Sequence, residues 1–222
     1  SLFEVQYLEG PEGLNGNFLY SFMPRPISPQ ELQPITGTSN TQGLDGEGNN
    51  IPTPDIIAAY EDGDLRKDAS IAYVEIAGSD REDKVYPYIK KYAKAHDLHG
   101  NHGMSWPIYR YAEVLLFLAE ALNEQGKTAE AAAYLNQIRD RAGLAATTAS
   151  SQSDMREAIF KERRVEFAFE NKRWFDITRA DRVQEIIGAF GQRAVANPLD
   201  YYYPEGHTFR DHAFSNITKY YA

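Results

Sequence analysis

Apolar residues recur along the second half of this chain with the period of a buried helix. From Arg110 to Glu124 they fall at Tyr111, Val114, Leu115, Leu118, Ala121 and Leu122, the i, i+3, i+4, i+7 spacing of one helix face. Ala112, Leu116 and Ala119 add apolar character on other sides, so this helix is expected to be deeply buried. Gln125-Gly126-Lys127 reads as a tight turn. A second helix is expected from Thr128, as N-cap, to Ala142, with Ala131, Leu135, Ile138 and Ala142 on one face and Gly143 in the left-handed cap position. After a Ser/Thr/Ala loop, Asp154 and Glu157 have the spacing of a capping box, which predicts a third helix reaching Glu170. Asn171-Lys172 is a short break, and a fourth helix is expected from Trp174 to Phe190.

The first half reads differently. Residues 3–8 alternate as a short strand does. From Gly10 to Pro54 the chain is rich in Gly, Pro, Asn, Ser and Thr and shows no helical period, so it is expected to be a long loop, with Gly43 to Asn50 its most flexible part. Thr53 as N-cap and Pro54 at the first helical position predict a helix through Ile56, Ile57 and Tyr60 that ends near Gly63. Residues 69–77 read as a strand, 85–92 as its edge partner carrying Pro87, and His96 to Pro107 as loop. The fold class expected is mostly α, with tetratricopeptide-like helix pairs, long irregular loops and a few short strands. It forms one domain over 1–222: loop-rich with short strands at 1–105, helical at 106–190, and an irregular tail at 191–222.

Composition narrows the function. A 222-residue chain that is 42% apolar can bury one sizeable core. Its net charge of −9 is the wrong sign for nucleic acid or for an anionic membrane surface. With no cysteine, disulfides, Cys-ligated zinc and thiol catalysis are excluded. Aromatic residues make up 13% of the chain, 15 of them Tyr, a side chain with a flat apolar face and a polar tip that suits contact with sugars or peptides as well as core edges. No apolar run approaches the roughly 18 residues of a membrane span, and no signal peptide is present. The opening residues Ser1 to Tyr7 read as the middle of a strand, so a fragment of a longer protein is expected.

The pair at 110–142 has tetratricopeptide spacing: small Ala119 and Ala131 at the contact, Gly126 in the turn, Leu135 in the groove. One such unit cannot bury both its faces. RYAEVLLFLAEALNEQGK, AAAYLNQIRDRAGL and IFKERRVEFAFENKRWFDITR, together with IPTPDIIAAYEDGDLRKD near the middle of the chain, closely resemble the SusD/RagB family. The resemblance covers most of the chain. It implies a lipid-anchored protein on the outer face of a Gram-negative outer membrane that binds oligosaccharides, or peptides in some members, and lids a TonB-dependent transporter. It also implies that a larger amino-terminal part, with the lipidated Cys and most tetratricopeptide repeats, lies outside this chain, and that relatives continue past Ala222 into a Pro-Ile-Pro segment.

One anomaly needs no resemblance. On the third helix Met155, Ala158, Ile159, Val165 and Phe169 share a face, and Glu162 and Glu166 fall in its middle. Carboxylates on an apolar stripe must be paired or neutralised. The nearby cations are Arg110, Arg139, Arg141, Arg163, Arg173 and Arg179, and a structural ion-pair network of Arg110, Glu162, Arg163, Glu166, Arg173 and Arg179 is expected. A glycosidase pair must flank a bond across a cleft, whereas i, i+4 side chains project side by side. A di-metal site needs Glu-x-x-His, and Val165 and Phe169 stand where His would be.

No metal site is expected elsewhere. His96, His99 and His102 are interrupted by Gly100 and Gly103. Asp45-x-Glu47-x-Asn49 lacks the Gly and Glu of a calcium loop, having Asn50 and Ile56 there, and Asp62, Asp64 and Asp68 read as turn and cap residues. Nucleophile elbow, phosphate loop and dinucleotide fingerprint are all missing. No catalytic residue and no cofactor are therefore assigned.

Ligand contacts should come from loop aromatics, since those on helix stripes are core. That leaves Tyr20, Phe22 and Trp106 as candidates, with Tyr201 to Tyr203 in the tail. Trp106 precedes the buried helix and can equally pack against it. The function expected is non-enzymatic cell-surface binding of oligosaccharide, or peptide, nutrients for delivery to a TonB-dependent transporter. The alternative is a tetratricopeptide-type protein–protein adaptor, disfavoured by the loop-rich segment and the aromatic tail.

Overall fold

The protein is described by a computed structural model covering residues 1–38, 46–79, 81–210 and 214. Gly43 to Asp45, and with them the start of the supposed calcium loop, lie outside the described residues.

The loop-rich half holds more regular structure than its sequence pattern announces. Strand β1 (Phe3–Val5) is followed by a 3-10 turn at Phe18–Phe22 and by helix α1 (Pro29–Thr36). The expectation of an unbroken loop from Gly10 to Pro54 is thus corrected. The signal for α1 was present: Ser28 accepts from the Glu31 backbone N–H while the Glu31 carboxylate accepts from the Ser28 N–H, and Pro29 starts the helix. Pro34 inside the helix hid it. Helix α2 (Pro54–Ile57) starts where Thr53-Pro54 predicted and ends sooner, and α3 (Leu65–Ser70) follows, capped by the Asp64 side chain on the Arg66 N–H. Strands β2 (Ile71–Glu75) and β3 (Val85–Ile89) pair antiparallel, Tyr73 opposite Pro87. The expected loop up to Pro107 is also corrected: β4 (Trp106–Tyr109) pairs antiparallel with β1, Val5 opposite Trp106, a pairing across about a hundred residues that no local period reveals.

Because these ribbons are short, the core of this half is built from the loops themselves. Leu19, Tyr20, Met23, Leu32, Ile76 and Ile89 are almost wholly enclosed. Loop 7–16 is stitched to the 98–106 loop. Asn101 accepts from the Gly10 N–H and donates back to its carbonyl, and Gly16 and His102 exchange backbone hydrogen bonds. Gly16 is required there, since a Cβ would meet the His102 ring at 2.7 Å. His102 is fully buried, and its Nδ1 accepts from the Met104 N–H. Burial, helped by His96 and Lys94 and opposed by Glu9, pushes its pKa down to about 4.

The helical half contains the expected helices, but the first is phased differently from its expected stripe: Ala112, Leu115, Leu116 and Ala119 face the core, whereas Tyr111, Val114, Leu118 and Ala121 are exposed, and so is Phe117, which was expected in the core. Helices α4 (Tyr111–Glu124) and α5 (Thr128–Arg141) form a tetratricopeptide-like hairpin, and α6 (Gln152–Glu166) packs against both. Ala119 and Ala131, both fully buried, let α4 and α5 approach, while Leu116, Leu135, Met155 and Ile159 fill the groove. The capping differs in detail: Ser151 rather than Asp154 accepts the first free N–H, and Thr128 lies inside its helix, donating to Asn123. The third helix ends at Glu166 instead of Glu170, because Phe169 and Asn171 take left-handed backbone (φ 67° and 57°). A non-glycine residue there costs roughly 1–2 kcal/mol. The released carbonyls are compensated: the Tyr92 hydroxyl donates to Phe169 O and Lys91 Nζ to Ala168 O. The expected fourth helix is two, α7 (Arg173–Arg179) and α8 (Val183–Ala196), broken where Asp181 also turns left-handed. A last 3-10 turn spans Pro198–Tyr201. Among the described residues no helix is long and apolar enough to cross a membrane.

The halves meet at the acidic face of α6. Glu162, Glu166 and Glu170 are each about 3% exposed. Arg66 of α3 reaches Glu162 at 2.6 Å and Glu166 at 3.1 Å. Arg110, just before α4, reaches Glu166 at 2.7 Å and Glu170 at 2.8 Å. From α5, Arg141 adds 2.6 Å to Glu166 and Arg139 3.1 Å to Glu162, and Lys91 closes on Glu170. Burial alone would raise the Glu166 pKa, but Arg141 and Arg110 outweigh it and hold it below the ordinary 4.5.

Glu166→Ala leaves Arg66, Arg110 and Arg141 without their shared carboxylate, and a loss of about 3–5 kcal/mol is expected. Chemical denaturation checks it, and a midpoint within error of wild type would refute it. Acid unfolding carries a second expectation. A histidine whose folded pKa is depressed binds fewer protons than the unfolded chain, so its contribution to stability is full above about 6.5 and lost as pH falls towards 4. Melting temperatures of His102→Gln and wild type, normalised at pH 7.5, should therefore diverge between pH 6.5 and 4, with the wild type falling more steeply.

Candidate functional site

The three aromatic residues singled out in the sequence share one region but not one environment. Tyr20 is 1% exposed, and its hydroxyl is hydrogen-bonded to His96 Nε2 at 2.6 Å. Its ring tilts over His99, with centroids 4.1 Å apart, and desolvation pushes its pKa up to about 12. Phe22 is buried, packed against Tyr92 and Phe18. Both belong to the core of the loop-rich half and offer no open ring face. Trp106 is half-buried on β4: one side stacks on Tyr92 at 5.0 Å, and Phe18 meets it edge-on at 5.0 Å.

Beside these rings the stitched loops form a shallow depression of about 660 Å³, bordered by Tyr7, Leu8, Leu14, Asn15 and Ser105. Tyr7 packs on Phe18, the ring that also supports Trp106. Leu8 and Leu14 are both more than half exposed. A flat apolar floor with amide and hydroxyl groups at its rim is the arrangement that accepts a sugar ring, C–H face down, with hydroxyls towards the polar edge.

The six residues expected to form one ion-pair network divide into three groups. Arg110, Glu162 and Glu166 belong to the cluster on the acidic face of α6, whose central cation, Arg66, was missed because Gly63 to Asp68 reads locally as a turn. Arg163 and Arg179 form a second cluster around Asp176, at 2.8 and 3.2 Å. There Glu113 is held by Lys172 at 2.9 Å and Arg163 at 3.4 Å. Arg173 joins neither. It stands in a cleft of about 790 Å³ between α2, α6, α7 and α8, walled by Phe160, Phe169, Trp174 and Phe190. Among the described residues no group of three His, Asp or Glu side chains is arranged to hold a metal ion.

Relatives share this architecture. A family model described as the SusD family matches residues 70–221. SusD-like protein P2 of Formosa agariphila is 33% identical over 174 residues, covering 66% of this chain and 34% of that protein. Surface glycan-binding protein A from Bacteroides uniformis superposes with a TM-score of 0.61 at 27% identity, over 82% of this chain and 37% of its own. A SusD-like protein from Bacteroides fragilis gives 0.62 at 24% identity, over 83% and 44%, a likeness of fold. The chain spans about a third of the length of the curated relatives it matches. With the family model matching well over half of its residues, this chain belongs to the SusD family.

Proposed function

We propose that this chain is the carboxy-terminal part of a non-enzymatic, lipid-anchored cell-surface protein that binds oligosaccharide, or peptide, nutrients and delivers them to a TonB-dependent outer-membrane transporter. The family match over residues 70–221 carries the reading, and a relative named as a surface glycan-binding protein agrees with it. The binding surface is the depression beside loop 7–16, with Tyr7 and the free edge of Trp106 as the contacts. Tyr20 and Phe22 support that wall from beneath. A binding role also suits the carboxylates. Glu113, Glu162, Glu166, Glu170 and Asp176 are all buried and held by guanidinium or ammonium groups, so none of them is free to flank a bond across a cleft as a glycosidase pair must.

The outer face of α4 bears on the longer protein. Tyr111, Val114, Phe117 and Leu118 are exposed at helical spacing, opposite the face packed on α5 and α6. Further tetratricopeptide helices of the same polypeptide would cover it, since a repeat of this kind buries its second face against a neighbour. An adaptor would offer that face to another protein instead. The chain has no cysteine, so Val114→Cys reports on coverage. Maleimide should label it rapidly in the 222-residue chain and slowly in the full-length protein. Equal rates would remove the intramolecular reading.

Binding has its own test, by calorimetry against the oligosaccharide that a glycan array identifies. Trp106→Ala and Tyr7→Ala should each weaken affinity about tenfold, equivalent to about 1.4 kcal/mol. Tyr7→Ala should do so with little change in melting temperature, and Trp106→Ala, which also loses its stacking on Tyr92, with some loss of stability. Tyr20→Ala should instead lower stability by about 3–5 kcal/mol, as loss of a buried aromatic does. No hydrolysis of the bound glycan is expected. Undiminished affinity in both surface variants would place the contacts elsewhere.

A further inference from the structure

The cleft between α2, α6, α7 and α8 carries a charge imbalance that no ion pair among the described residues removes. Cationic side chains outnumber anionic ones along its walls, although the whole chain carries −9. Most of these cations have partners. Arg182 is held by Glu157 at 3.0 Å and Glu185 at 2.6 Å, and Arg193 by Asp55. Arg164 and Arg173 make no ion pair among the described residues. Arg164 donates to the Asp55 carbonyl at 3.0 Å. Arg173 lies 4.3 Å over the Phe160 ring, and its Nη1 is buried with no hydrogen-bond partner. Burial, aggravated by the neighbouring Arg164, pulls the Arg173 pKa down to about 10, and burial lowers that of Arg164 as well. Two neighbouring, partly buried guanidinium groups, neither in an ion pair among the described residues while the nearby Asp55, Asp176 and Glu185 are paired with other arginines, form an arrangement that a bound anion relieves.

We propose that this cleft is a second binding site and takes a carboxylate-bearing saccharide unit, such as a uronic acid, with the carboxylate held by Arg164 and Arg173. The planar guanidinium fork matches a carboxylate in two-point geometry. Trp174 and Phe190 on the cleft walls supply apolar surface for the C–H face of the sugar ring. The volume of about 790 Å³ accommodates one to a few sugar units. The site is independent of the depression beside Trp106, but its ligand class rests on the glycan-binding reading.

The experiment is calorimetry on the 222-residue chain with uronic-acid trimers of gluco, galacto and manno configuration, their neutral counterparts, sodium sulfate and a glutamate hexapeptide. At least one uronate trimer is expected to bind and to raise the melting temperature. Its affinity should fall tenfold or more in Arg173→Gln and in Arg164→Gln, and weaken with added salt. Arg173→Lys, which keeps the charge and loses the fork, should fall between wild type and Arg173→Gln, and it serves if the Gln variant does not fold. Absence of binding by every uronate trimer overturns the inference, as does binding that ignores both arginines. If neutral oligosaccharides still bind in that case, the glycan-binding reading stands alone; if no saccharide binds, both fall. Equal arginine-dependent binding of sulfate would make the cleft an unselective anion site. Tighter arginine-dependent binding of the glutamate peptide would make it a docking surface for an acidic polypeptide. Either result overturns the saccharide assignment.

Discussion

Three carboxylates that α6 and the turn after it carry into the interior determine how the rest of this chain is arranged. Glu162, Glu166 and Glu170 cannot stay ionised in an apolar contact unless cations reach them. No one element supplies those cations. Arg66 comes from α3, Lys91 from the turn after β3, Arg110 from the start of α4, and Arg139 and Arg141 from the end of α5. The loop-rich half and the helical half each bring part of the counter-charge, so neither satisfies this face alone. Apolar packing holds α4, α5 and α6 together, but ion pairs fix how the loop-rich half sits on them. Such pairs are directional and leave few alternative registers, a role for buried charge that is better attested than net stabilisation.

The same requirement accounts for the irregular backbone that follows α6. The left-handed residue at Phe169 turns the chain so that Glu170 meets Arg110 and Lys91. The conformational cost there is about the size of one good charge-assisted hydrogen bond, and the turn gains several.

Sequence reading succeeded where one element explains itself. The α5 stripe, the small residues at the α4–α5 contact and the misfit of Glu162 and Glu166 on an apolar face are all properties of a single helical period. Helix α4, apolar on most sides, gave no such clear phase, and Tyr111, Val114 and Leu118 of its expected stripe are exposed. Sequence reading also fell short where the explanation lies far along the chain. Nothing near Arg66 hints at Glu162, 96 residues away, and nothing near Trp106 hints at Val5. The reasoning that sends loop aromatics to the surface assumes that regular elements make the core. Here the strands β1 to β4 are three to five residues long and enclose little, so Tyr20 and Phe22 must fill the interior themselves. An aromatic residue in a loop is a surface candidate only when something else is available to bury.

Helix α6 makes the contrast between its two sides instructive. At 100° per residue Glu162 and Glu166 lie roughly opposite Phe160 and Arg164, so one helix presents an acidic face to the interior and a basic, aromatic face to the cleft. The interior face is withdrawn from water, the cleft face is half-buried, and both carry charges that favour an opposite partner. On the interior side every carboxylate has at least two cations. On the cleft side Arg182 and Arg193 are matched, but Arg164, half-buried, and Arg173, with a buried unpartnered nitrogen, have no carboxylate partner among the described residues. A shortage of acidic residues is not the reason, since the chain holds 32 of them against 23 basic ones. Nor is reach the reason, since Glu157 and Glu185 border the same cleft and pair with Arg182 instead. Among the described residues, one side of the helix is satisfied fully and two neighbouring guanidiniums on the other are left without an ion pair, an imbalance that a bound anion would relieve.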